Sequence, residues 1–218
     1  MLKESYKIRM GKDYLPSQEP LILYPGDIFF TEPTGPFGRM VLWATNPPSG
    51  HEDQGTAHTG IVVDGGLAKD AIIVDSYAFG VRRTKLSKSF GHKAMLLARP
   101  LNIPTNDLAN IISRAEQAAD DRVRYGYIHL FYFLIDALRD KLFKRPLKKR
   151  LTNLAKSSEA MVCSRFVSWA FRIRDPDYSF GVEDHLATPN DILDFVLDNL
   201  GTKYTIVHPW GKLPNVEG

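Results

Sequence analysis

The distribution of apolar and polar positions divides the chain into a stretch of short strands, a stretch of helices and one closing strand. LILYPGDIFF at 21–30 is a strand-like run broken by Pro25 and Gly26. The segment from Thr31 to Gly55, with Pro33, Gly35, Pro36, Pro47, Pro48, Gly50 and Gly55, predicts mostly loop. HTGIVVD at 58–64 and AIIVDSY at 71–77 are β-branched runs on either side of the turn DGGLAKD, and a hairpin is their simplest connection. AMLLARP at 94–100 closes a third strand.

After residue 106 the period changes. DLANIISRAEQAADD places apolar residues at helical spacing, with Asn106 or Asp107 available as N-cap. IHLFYFLIDALRDKLF, from position 128, reads as a second helix. AMVCSRFVSWAFRIR at 160–174 reads as a third, with Val162, Phe166, Trp169 and Ala170 on one stripe. In TPNDILDFVLDNLG at 188–201, Thr188 caps, Pro189 takes the first helical position and Gly201 ends the helix. KYTIVHPW then supplies a last strand. This order predicts an α+β fold, a small antiparallel sheet packed against helices, rather than a doubly wound sheet. Residues 1–20 read as an N-terminal arm, and 21–218 as one domain with a helical insert at about 127–158.

Composition narrows the function classes. Apolar residues make up 44% and charged residues 24% of the 218, which excludes a disordered, collagen-like or disulfide-scaffold chain. The net charge of +3 is too small to imply a polyanionic partner, and no nucleic acid is expected. KLFKRPLKKR at 141–150 holds six basic residues and no acid, either a solvated helix end or a contact for an anionic lipid surface or phosphate-bearing partner. The N-terminus shows no apolar signal region, and the apolar run near residue 130 carries Asp136 and Arg139 and is too short to span a bilayer. A cytoplasmic protein is therefore the expectation.

Cys163 is the single cysteine, so no internal disulfide forms. A lone cysteine beside Val162 and Phe166 is ordinarily a small buried apolar residue. Ser157, Ser158 and Glu159 read as helix-start residues, however, which puts Cys163 in or near a first turn, where the positive helix end favours a thiolate. His58 opens its strand, so its imidazole is expected at a sheet end, where it can serve a nearby thiol as general base. Asp75 ends the next strand and can orient that imidazole, or else act as a turn acceptor ahead of Ser76. His51, His92, His129, His185 and His208 show no metal-ligand spacing, and no phosphate loop is present, so neither metal nor cofactor is expected.

GDIFF at 26–30, AHTGIVV at 57–63, IIVD at 72–75, RYGY at 124–127, VCSRFVSWAF at 162–171 and ATPNDI at 187–192 resemble, in this order, the blocks of circularly permuted NlpC/P60 proteins. In ordinary members of that family the cysteine helix precedes the Gly-Asp and histidine strands; here it follows them. The resemblance implies a papain-like core with Cys163 as nucleophile, His58 as proton carrier and Asp75 as the orienting group. Many permuted members have Glu at the third position, and the lecithin retinol acyltransferase branch has His. It also implies a tyrosine at the oxyanion, for which Tyr125 fits best and Tyr127 is the other candidate. Gly26 and Asp27 shape the strand start. The implied activity is a thiol hydrolase of the amidase or peptidase type, acting on a peptide amide or an acyl ester. The alternatives are a lipid-directed acyltransferase or thioesterase, or a papain-like module retained for binding.

Overall fold

The computed structural model of the protein describes residues 20–45, 55–127, 131, 135, 160–172 and 180–213. Its strands are β1 (Ile22–Leu23), β2 (Ile28–Thr31), β3 (His58–Asp64), β4 (Gly66–Leu67), β5 (Ile72–Tyr77), β6 (Gly80–Lys85), β7 (Ala94–Pro100) and β8 (Tyr204–Lys212). Five helices accompany them among the described residues: α1 (Gly35–Thr45), α2 (Leu86–Phe90), α3 (Thr105–Asp120), α4 (Cys163–Phe171) and α5 (Pro189–Asp198). Six strands form one antiparallel sheet in the order β6-β5-β3-β2-β7-β8, while β1 and β4 pair separately. The fold is α+β, as the sequence pattern predicts.

Alternation along the strands gives the sheet two apolar faces. Ile28, Phe30, Ile61, Val74 and Leu96 pack against α3, α4 and α5 through Ile111, Phe166, Val167, Ala170, Ile192 and Val196. Phe29, Val62, Ile73 and Leu97 pack on the other face with Leu23, Leu86 and Phe90. The central strands are thus buried on both sides. Burying each such side chain contributes about 1.5–3 kcal/mol, so the register of β2, β3 and β5 is firmly held.

Several expectations need correction. Residues 31–55 are not all loop, because 35–45 form α1. Pro36 lies in its first turn, where a missing N–H breaks no helical hydrogen bond. GVRRTK at 80–85 is a strand that its charges conceal. It is one of the two edge strands of the six-stranded sheet, a position where charge is tolerated. Gly80 begins it at φ 120°, and a Cβ there would lie 2.5 Å from the Val123 carbonyl oxygen, so only glycine fits the turn. The cap of α3 is Pro104, not Asn106 or Asp107.

At the C-terminal end, Thr188 and Asp191 form a reciprocal capping box with Pro189 in the first turn. The helix stops at Asp198, and Gly201, at φ 77°, lies in the turn beyond it, where its N–H donates to the Tyr204 carbonyl. His208 lies within β8. His51, His129, Ser157, Ser158, Glu159 and the basic segment 141–150 fall outside the described residues, as does most of the 127–158 insert. No helix among the described residues is long and apolar enough to cross a membrane.

Candidate active site

Antiparallel pairing of β3 with β5 sets Gly60 opposite Asp75, so Asp75 and His58 are diagonal neighbours across the ladder. Glycine at position 60 is a packing requirement, since a Cβ would come within 2.6 Å of the Phe29 ring and 2.8 Å of the Val74 carbonyl oxygen. The carboxylate therefore reaches across without obstruction, and His58 Nε2 is 2.8 Å from Asp75 Oδ2. With Nε2 engaged, Nδ1 is the ring nitrogen left to face the thiol. The imidazole is confined by aromatic rings: Phe90 at 5.2 Å, Tyr77 edge-on at 5.8 Å and Phe29 at 6.0 Å between centroids.

Cys163 is the first residue of α4, whose N-cap is Val162 with no capping side chain. Cys163 thus lies in the first turn, at the positive end of the helix, as the sequence pattern predicts. Two neighbours fix the approach to it. Met161 accepts a hydrogen bond from the buried Ser76 hydroxyl at 2.6 Å, and its N–H donates to the Arg124 carbonyl at 2.9 Å. Residue 161 is thereby tied both to β5, one position after Asp75, and to the segment carrying Tyr125. The Cys163 thiol is buried and close enough to His58 for its charge to act on the imidazole.

The loop before His58 is pinned from the opposite side. Thr56 donates its N–H to Asn190 Oδ1 at 2.8 Å and its hydroxyl to the Thr31 carbonyl at 2.8 Å. Ser164 donates to the Ala187 carbonyl at 2.6 Å. The ATPNDI block thus braces the histidine strand and the cysteine helix from one place.

Burial is the largest single influence on the His58 imidazole and works against its charged form. It is outweighed by the charge of Cys163, by Asp75 and Cys163 as acceptors for the ring N–H groups and by the charge of Asp75, which together raise the pKa to about 9. Asp75 is fully buried. Its desolvation favours the neutral acid, but hydrogen bonds and charge from His58 and Arg82 prevail and hold the carboxyl below its ordinary value. Arg82 is the residue that sequence reasoning missed. Its Nε donates to Asp75 Oδ1 at 2.9 Å, and its guanidinium lies 4.3 Å from the centroid of the Tyr77 ring. The available signal was a basic residue placed symmetrically to Asp75 across the short YAFG turn.

A cavity of about 330 Å³ opens at this end of the sheet, and Cys163, His58, Tyr77, Tyr125 and Tyr127 all line it. Asp75 stands behind the imidazole rather than in the cavity. The Tyr127 hydroxyl donates to the Ala78 carbonyl. Tyr125 packs edge-on against Tyr127 at 4.9 Å, and its phenol is held protonated well above the ordinary range, first by burial and then by the charge of Cys163. The second tyrosine is thus committed to the backbone, while the first keeps a hydroxyl in the cavity.

No family model matches the chain, and no curated protein matches it. Among solved structures, one titled metalloprotein yiiX from Escherichia coli O157:H7, DUF1105, matches at 14% identity and a TM-score of 0.44, covering 85% of this chain and 96% of that chain. A likeness of that extent assigns neither family nor activity, and the site stands on its own residues. Among the described residues, no group of three or more His, Cys, Asp or Glu side chains could hold a metal ion.

Proposed function

We propose that the protein is a thiol hydrolase that cleaves an amide through a thioester on Cys163. The observation that carries this reading is Cys163 and His58 in the wall of one cavity, with the imidazole hydrogen-bonded to buried Asp75 and Asp75 in turn to Arg82. The order of the sequence blocks supports a permuted papain-like domain of the NlpC/P60 kind.

In the reaction, the Cys163 sulfur attacks the carbonyl carbon, the C–S bond forms and the carbonyl π pair moves to oxygen. The resulting oxyanion is met by the Cys163 N–H, which as the first in its helix has no intrahelical acceptor, and by the Tyr125 hydroxyl. With its pKa near 9, His58 is protonated at neutral pH and delivers that proton to the departing nitrogen as the C–N bond breaks. The neutral imidazole then takes a proton from water, which attacks the thioester. The acid leaves, and the thiolate and imidazolium pair is restored. Asp75 fixes the ring orientation throughout and stabilises its charge.

A panel of amide and ester substrates, read by mass spectrometry of the intact protein, tests the reading. An acyl adduct on Cys163 that forms and turns over in the wild type, forms far more slowly in His58→Ala and is absent in Cys163→Ala is the expected result. No adduct from any substrate counts against it.

A lipid-directed acyl transfer is the second reading. It is favoured by Tyr77, Tyr127 and Phe79, exposed at 41%, 56% and 99%, which lie at or next to the cavity lining. A series of esters of increasing chain length separates the two. kcat/KM rising steeply with length favours the lipid reading, since each buried methylene is worth about 0.8 kcal/mol, and a flat series favours the amidase.

A further inference from the structure

Lys93 lines the same cavity as Cys163 and His58, and the mechanism above gives it no work. Its ammonium lies 5.3 Å from the centroid of the Phe90 ring, whose other neighbour is the His58 imidazole at 5.2 Å. Among the described residues the ammonium has no hydrogen bond or salt bridge. The charges that face it are already engaged: Glu32 accepts the Ala94 N–H at 3.1 Å, and Asp75 is held by His58 and Arg82. Burial, the largest influence, weakens its hold on a proton, Glu32 and Asp75 oppose that and Arg82 adds to it. A partly desolvated cation that makes no hydrogen bond or salt bridge among the described residues, facing a cavity, is a recognition group for an anion.

A second feature of the same cavity points the same way. Thr31 is the direct cross-strand partner of His58 on β3 and of Met95 on β7, two residues from Lys93. It lines the cavity, is 1% exposed, and its hydroxyl has no hydrogen-bond partner. Buried hydroxyls are ordinarily satisfied, so a polar ligand group seated there would complete it. Glu32, which also lines the cavity, keeps its negative charge and disfavours a multiply charged ligand. Val41, Ala57, Val162 and Pro189 supply apolar surface for the rest of the molecule.

Building on the thiol-hydrolase reading, we propose that Lys93 is the specificity residue of this cavity and recognises a carboxylate, so that the preferred substrates are amides or esters bearing a free carboxylate close to the scissile carbonyl. The test compares alkylation of Cys163 by iodoacetate and by iodoacetamide, read by intact mass. In both, the S–C bond forms as the C–I bond breaks and iodide leaves, and the two reagents differ in the carboxylate. The neutral reagent serves as each variant's own reference.

The iodoacetate to iodoacetamide rate ratio is expected to be about 3- to 10-fold higher in the wild type than in Lys93→Met, the size of one charge acting across such a distance at partial screening. Lys93→Arg is expected to keep most of it. Lys93→Gln provides the same comparison if the methionine variant does not fold. Equal ratios in the wild type and the neutral variants overturn the proposal. A ratio that depends on Lys93, combined with wild-type alkylation no faster than free cysteine, would sustain the anion site and count against the hydrolase.

Discussion

Asp75 and Arg82 are cross-strand partners on β5 and β6, and the Arg82 Nε donates to the buried carboxylate at 2.9 Å while His58 holds its other oxygen at 2.8 Å. Arg82 thus acts on the imidazole through an intermediary. It also lies over Tyr77, whose ring meets His58 edge-on, so the guanidinium constrains the imidazole by two routes.

Arg82→Gln should therefore lower kcat by about tenfold with KM little changed, because it loosens the orientation of a group rather than removing one that reacts. The pH response separates this from a purely structural loss. Asp75 has a depressed pKa, so it contributes stability above its unfolded value of 3.8 that is lost as pH falls through its lower folded value. Without Arg82 that folded value rises, and the acid limb of the stability profile moves to higher pH. Arg82→Lys restores part of both effects. An unchanged acid limb would mean that His58 alone holds the carboxylate.

Tyr125→Phe and Tyr127→Phe should differ. Loss of the cavity-facing hydroxyl of Tyr125 removes one oxyanion donor and should reduce kcat by about 10²-fold, in the range of other such donors. Loss of the Tyr127 hydroxyl removes a hydrogen bond to the Ala78 carbonyl and should cost about 1 kcal/mol of stability with less effect on kcat. Steady-state kinetics beside thermal unfolding decides the matter, and the reverse pattern would exchange the two roles.

Much of this site is legible in the sequence, and the parts that are not share a physical cause. HTGIVV and AIIVD announce buried strands because both their faces are covered, and once they pair, His58 and Asp75 must be diagonal neighbours. Thr188 and Asp191 announce α5 because a capping box is a local signal. Arg82 stays hidden because an edge strand has no apolar alternation to betray it. Lys93 stays hidden because its place in the cavity depends on the β2–β7 pairing rather than on any neighbour in sequence. Proline and glycine between 31 and 55 read as loop although Pro36 sits where a helix tolerates it. The start of α4 at Cys163 is equally non-local, set by Ser76 and Arg124 holding Met161.

The His58 pKa gives a pH prediction with a definite sign. A histidine whose folded value is raised from 6.5 to about 9 binds its proton more tightly in the folded state. Its contribution to stability is fully present below about pH 6.5 and is lost as pH rises through about 9. The wild-type unfolding midpoint should fall across that window more steeply than that of His58→Gln. Cys163→Ser should flatten the fall, because the charge of Cys163 is the largest of the influences raising the imidazole pKa. Parallel curves for all three proteins would contradict a coupled pair.

The central claim is that Cys163 and His58 act as one unit, and the alkylation rate of Cys163 by iodoacetamide at pH 6 tests it most directly. An imidazole with a pKa near 9 is protonated at that pH, and a cysteine paired with such a cation at a helix N-terminus reacts where free thiols scarcely do. The wild type should react at least about tenfold faster than free cysteine, and His58→Ala should lose that advantage. Wild-type alkylation at the rate of free cysteine, or a rate unaffected by His58→Ala, would contradict the account.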